Sequence, residues 1–224
     1  MVRIMPFQMT HLHIAKNIYE HLSERKINLP QFYLGSVAPD AVHNRVNYNS
    51  DYKKASHLRV GNDITNHPPT YDEWIENVQC FICKNKNNEN YDFILGYCTH
   101  ILSDIYYHIA VWTPFKLKYQ DDFSKGNGGL YYQENEKVEI ELALAFENKD
   151  DFWVYLEKSI GVTLENIIFA NEVEKHKENI LYHWFKDKEH PDMLSNKIIT
   201  IESTMKFIKD ATCYVLDKLI STAL

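Results

Sequence analysis

The stretch GYCTHILSDIYYH, residues 96 to 108, sets His100, Asp104 and His108 at four-residue intervals inside an otherwise apolar run. One helical turn is about 3.6 residues, so positions four apart stack on the same face. Nitrogen and carboxylate groups held one turn apart suit a single hard or borderline metal ion. The plain alternative is a polar seam whose members hydrogen-bond one another in a core. The surrounding helix, predicted from Tyr91 or Asp92 to just before Pro114, is apolar nearly all round, which marks it as the central one. Gly96 stands one turn before His100, and glycine inside a helix costs about 1 kcal/mol relative to alanine. A close approach by another backbone or a ligand explains that choice. An unpaired carboxylate on this rail is expensive, so Asp104 requires a cation or strong donors.

The rest of the chain bounds the answer. Its 224 residues suit a single domain, 1–224, with a sizeable core. Glycine and proline number only seven each, and no apolar stretch alternates over strand length, so the fold class is all-α. A net charge of −7 and a pI near 5.9 argue against a nucleic-acid polymer or an anionic membrane as partner. The early segment MVRIMPFQMTHLHIAK mixes polar residues throughout and lacks a signal-peptide core. No run approaches the roughly 20 apolar residues of a membrane span. Cysteines stand at 80, 83, 98 and 213 without secretory context, so the expected compartment is cytoplasmic. Cys80 and Cys83 form a lone CxxC in a helical pattern, which reads as packing rather than a zinc clip.

Thr10 is predicted to cap a first helix running to about residue 24. Gly35 and Pro39 mark irregular backbone around Asp40. Residues 44–69 read as a long surface connection, and Thr70 with Glu73 as a capping box for a helix through Cys83. GNGG, residues 126–129, reads as a flexible loop. Further helices are expected over YYQENEKVEIELALAF, over DDFWVYLEKSI, in one or two pieces over LENIIFANEVEKHKENILYHWF, and from about Asn196 to Leu219.

Helical register sorts the polar residues. Stepping from His11 meets Ile14, Ala15, Ile18 and Leu22, whereas stepping from His13 meets Lys16, Asn17, Glu20 and Glu24. His11 therefore points inward and His13 outward, and a buried imidazole needs partners or a metal. Inward His or Asp thus comes from four separated stretches: His11, Asp40, His57 and the His100/Asp104 pair. Such a set, mixed N/O in type, is a metal-site pattern more than a catalytic triad. Arg45 and Arg59, two of the chain's four arginines, flank Asp40 and His57. They are either ordinary surface charges or a clamp on substrate phosphate. GxSxG, P-loop and HExxH patterns are absent.

THLHIA, FYLGSVAPDA, SHL and GYCTHILSD, in that order, resemble the zinc-dependent phospholipase C superfamily, in particular its small bacterial cytoplasmic hydrolase-like branch. The acidic segment YYQENEKVEIEL fits the same resemblance, which covers roughly residues 9 to 145. It implies a phospholipase C/fungal single-strand nuclease-like domain whose helices surround a metal site that hydrolyses phosphate esters. Carried over by residue, His11, His57, His100 and Asp104 are implied ligands, with His108 and Glu134 (or Glu139) as further ones. Asp40 is implied as a ligand or as the base beside the attacking water. The expected cofactor is one or two zinc ions or another divalent metal, and the expected substrate a small soluble phosphate ester, without stable membrane association. Two rivals stand beside this reading. An HD-type phosphohydrolase needs an adjacent His-Asp pair, and no histidine here is followed by aspartate. A non-catalytic metal-stabilised domain that binds a partner would instead show complete protein coordination.

Overall fold

The computed structural model describes residues 8–22, 26–59, 70–123, 125, 129–145 and 149–223. The α-helices are α1 (Gln8–His21), α2 (Leu29–Gly35), α3 (Ser50–Ser56), α4 (Tyr71–Lys84), α5 (Tyr91–Tyr107), α6 (Thr113–Lys118), α7 (Gln120–Phe123), α8 (Leu130–Leu144), α9 (Lys149–Lys158), α10 (Ala170–Asn179) and α11 (Ile201–Ala223). Among the described residues no strand forms, and the one antiparallel bridge joins Leu164 to Ile168. The all-α expectation holds. None of the described helices is long and apolar enough to cross a membrane.

Helix α5 is the axis, buried along most of its length from Phe93 to Ile105. Its Gly96 faces Gly35 of α2. A methyl group at Gly96 would run into the Phe32 carbonyl, and one at Gly35 into that of Phe93. The glycine rail before His100 therefore serves a close backbone crossing, which fixes α2 and the segment after it against α5. Helices α1, α4 and α11 pack on other sides of α5, sharing one hydrophobic core.

Several boundaries differ from the sequence expectation. Thr10 lies inside α1 rather than capping it. The capping box of Thr70 and Glu73 is present as expected, with both reciprocal bonds made. Helix α5 does not stop before Pro114. A π-turn over His108–Trp112 links it to α6, and Thr113 donates to the His108 carbonyl five residues back. Widening the turn relieves the clash between the proline ring and the carbonyl four residues earlier, so the chain stays helical. Residues 44–69 contain α3 and so are not wholly irregular, while 60–69 and most of GNGG lie outside the described residues. The stretch 164–185 holds one α-helix, α10, continued by a π-turn over Ile180–Trp184. Helix α11 begins at Ile201, not Asn196, because the preceding backbone amides are captured by α8. Cys80 and Cys83 are exposed on α4 rather than packed, since its buried face is Trp74, Val78 and Ile82.

Candidate metal centre

The irregular backbone around Asp40 is a 3₁₀ helix over Ala38–Asn44, with Pro39 at its start and Asp40 in its first turn. His57 caps α3, and His11 comes from α1. His100 and Asp104, one turn apart on α5, complete the set. Two groups converge, His11 with His100 and Asp104, and Asp40 with His57 and His100, each with its ligand-type atoms within 4.8 Å of one another. Four of these residues are at least 95% buried, and only Asp104, with its side chain 24% exposed, reaches toward solvent.

Hydrogen bonds on the far side of each ring fix which nitrogen faces the centre. His100 Nδ1 lies 2.9 Å from the Ser36 carbonyl, which only accepts, so Nδ1 carries the proton. His57 Nδ1 is 3.0 Å from the Lys53 carbonyl and donates to it in the same way. Ser103 Oγ donates its hydrogen to the His100 carbonyl at 2.7 Å, so toward His11 Nδ1, 2.9 Å away, it accepts. All three Nε2 atoms are left with a lone pair directed inward. Those of His57 and His100 are buried and have no hydrogen-bond partner. His57 is further pinned by Trp74 Nε1, which donates to its carbonyl at 2.6 Å. The His11 and His100 rings stack, with centroids 3.7 Å apart.

The carboxylates sit between these nitrogens. Asp104 Oδ1 is 3.4 Å from His11 Nε2, and Oδ2 is 3.4 Å from His57 Nε2 and 3.7 Å from His100 Nε2. Asp40 Oδ1 is 3.5 Å from His57 Nε2 and Oδ2 is 3.9 Å from His100 Nε2. Burial pushes His11 down to about 3, helped by the neighbouring His100, and burial likewise lowers His100. Burial acts on His57 in the same sense, but the carboxylates of Asp104 and Asp40 outweigh it and raise the net value. Burial opposes ionisation of Asp40, yet Lys53, His57 and His100 hold it well below the ordinary carboxylate range. Asp104 is also lowered against burial, chiefly by His100 and His57.

Four expected contributors lie elsewhere. His108 starts the π-turn and sits edge-on to Trp74, centroids 5.8 Å apart, outside both converging groups. Glu134 is buried but takes three backbone N–H bonds, from Lys197 at 2.7 Å, Ile198 at 2.7 Å and Ile199 at 2.8 Å. Both its oxygens are committed to holding the chain before α11. Its alternative, Glu139, accepts from Met9 N at 2.6 Å and from Thr10 N and Oγ1 at 3.1 and 2.7 Å. Glu139 thus anchors the start of the helix that carries His11. Arg45 is engaged away from the centre: Nε and Nη2 pair with the Glu172 carboxylate at 2.6 and 2.9 Å, between the Tyr52 and Phe169 rings. Arg59 lies over the Trp74 ring at 5.0 Å, its Nε buried without a partner. His13 is half-buried rather than solvated, its Nε2 3.5 Å from the Leu142 carbonyl of α8.

Other residues at the centre were not singled out from the sequence. Gln8 Nε2 donates to Asp40 Oδ2 at 3.1 Å, and its Oε1 lies 3.0 Å from His176 Nε2 on α10. Lys53 Nζ is 3.4 Å from Asp40 Oδ1. His43 Nε2, 3.7 Å from the same oxygen, is buried without a hydrogen bond. Gln8 is three residues before His11 and shares its face, so stepping backward along α1 would have found it. Lys53 is one turn before His57, but that register exists only once α3 is known to be helical.

The donor set suits zinc, which takes imidazole nitrogen and carboxylate oxygen. Inward lone pairs on three imidazoles, each held by a partner on its other nitrogen, are the arrangement that metal-binding histidines require. The family model described as zinc dependent phospholipase C matches residues 10–211 and so takes in all five residues of the two converging groups. No curated protein and no solved structure matches the chain. With the match spanning most of its 224 residues and the His/Asp groups standing ready for a metal ion, the chain belongs to the zinc-dependent phospholipase C family.

Proposed function

We propose that this protein is a zinc-dependent hydrolase of phosphate esters, with residues 1–224 forming one domain around the centre. The observation that carries the proposal is the set of three inward Nε2 lone pairs interleaved with the Asp40 and Asp104 carboxylates. His11, His57, His100 and Asp104 would hold the metal, with Asp40 as a ligand or as the group that orients the attacking water. Each imidazole has one lone pair to give, because its Nδ1 is protonated, so His100 serves one ion only. If His100 serves the ion of His11 and Asp104, a second would be left with His57 and Asp40. Bound zinc supplies Lewis acidity, making water nucleophilic near neutral pH and drawing charge from a phosphoryl oxygen.

The chain's own residues do the rest. Asp104 forms the solvent-facing edge, so substrate enters on that side. Asp40 is held by Gln8 and faces His57, which fixes the direction of its free lone pairs. Burial of the three imidazoles excludes bulk water from behind the reacting group. A small soluble phosphoester is the substrate class we favour, since the chain carries a net charge of −7 and none of its described helices is suited to crossing a membrane.

The test pairs elemental analysis with a substrate panel: bis(p-nitrophenyl) phosphate, p-nitrophenyl phosphate and phosphatidylcholine in mixed micelles. Zinc-dependent turnover of a soluble ester, abolished by a chelator, is the expected result. Stoichiometric zinc with complete protein coordination and no turnover of any ester would favour a metal-stabilised binding domain instead.

A further inference from the structure

The centre has a cation that none of the expected roles uses. Lys53 lies one helical turn before His57 on α3, so the two side chains share a face. Its ammonium is 3.4 Å from Asp40 Oδ1 and also feels the Asp104 carboxylate. Unlike the buried imidazoles, its side chain is 40% exposed, which puts it at the mouth of the site. Beside it, His43 leans on the Tyr48 ring at 4.6 Å, with Nε2 buried and unpartnered and 3.7 Å from the same carboxylate oxygen.

Charge balance decides what Lys53 does when the centre is loaded. Without metal, two carboxylates face one ammonium, and Lys53 serves as a partial counter-ion. A divalent cation neutralises both carboxylates, and the ammonium then becomes surplus positive charge at a solvent-facing edge. A flexible four-carbon stem lets it turn toward an incoming anion. Arg45, another cation near Asp40 in sequence, is instead held by two hydrogen bonds to the Glu172 carboxylate and one to the Ile167 carbonyl.

We infer that Lys53 is the substrate-phosphate ligand of this site, its ammonium engaging a non-bridging phosphoryl oxygen, with His43 Nε2 as a neighbouring polar contact. The inference rests on the zinc-hydrolase reading and deepens it. It makes the recognised chemistry an anionic phosphoryl group held at one edge by protein and not by metal alone.

The experiment measures inorganic phosphate binding by calorimetry on zinc-loaded wild type, Lys53→Met and Lys53→Arg, with zinc content determined on the same samples. Loss of one charge-assisted contact corresponds to about 10- to 100-fold weaker binding in the methionine variant. Arginine should restore most of it, and zinc content should be equal in all three. Equal phosphate affinity in wild type and Lys53→Met overturns the inference while leaving the zinc reading intact. Loss of zinc in Lys53→Met also overturns it, because Lys53 then serves only to hold Asp40. Wild type that takes up no zinc removes the hydrolase reading and this inference together.

Discussion

Gln8 donates from its buried amide to Asp40 Oδ2 across 3.1 Å, and its own oxygen is turned toward His176 Nε2 at 3.0 Å. Because a carboxylate only accepts here, the amide cannot be flipped, and His176 must present Nε2–H to Gln8. The pair therefore orients Asp40 from behind, through residues on α1 and α10. His176→Phe should lower kcat about 10- to 100-fold, the range for outer-shell partners of a metal site. The same substitution added to Asp40→Asn should cost far less, because the pair acts only through Asp40. Full additivity in a double-mutant cycle would show that His176 merely supports the fold.

Asp40→Asn itself separates ligand from base. The amide keeps the size and one oxygen, while three imidazoles and Asp104 remain. Turnover should fall about 10²- to 10⁴-fold, the usual share of a general base, with most zinc retained. Zinc stoichiometry and steady-state rates on one preparation decide it, and parallel loss of zinc and rate would remove the base role.

Glu134 is an anchor, so its removal should be felt in stability and not in metal. Glu134→Ala strands three backbone N–H groups before α11, costing about 1–3 kcal/mol or more where the amides stay buried. Urea denaturation should register that loss while elemental analysis finds zinc unchanged. Zinc loss from a variant that is still folded would restore Glu134 as a ligand.

Glu139 gives the fold a pH dependence. Burial pushes its carboxyl up from an ordinary value near 4.5 to about 7, against the donors from Met9 and Thr10. A raised folded value means that the stabilisation is fully present below about pH 4.5 and is lost as pH rises through about 7, on the order of 3 kcal/mol. Zinc-free wild type should therefore lose stability from pH 5 to 8 relative to Glu139→Gln. Parallel pH profiles for the two proteins would show that the donors hold Glu139 ionised throughout.

Local pattern carried much of this molecule. The period of α5, the inward step from His11, the irregular backbone at Asp40 and the capping box at Thr70 all follow from residues within a turn or two of each other. What stayed hidden depends on partners far along the chain. Glu134 and Glu139 differ in nothing local from metal-ligating glutamates, because the amides they bind lie 63–65 and 129–130 residues away. Arg45 looked free because Glu172 is 127 residues distant. Pro114 misled for another reason: a π-turn absorbs a proline that a regular helix could not.

If His11, His57, His100 and Asp104 hold zinc with Asp40 beside it, the metal content of purified protein must follow those residues. Protein prepared without added metal, then dialysed against a zinc buffer, should carry one or two zinc ions per chain. His100→Ala should lose bound zinc, since both converging groups use that ring, while His183→Ala, at an exposed position, should keep it. Wild type without zinc, or His100→Ala with its full complement in a folded protein, would mean that these residues do not hold the metal.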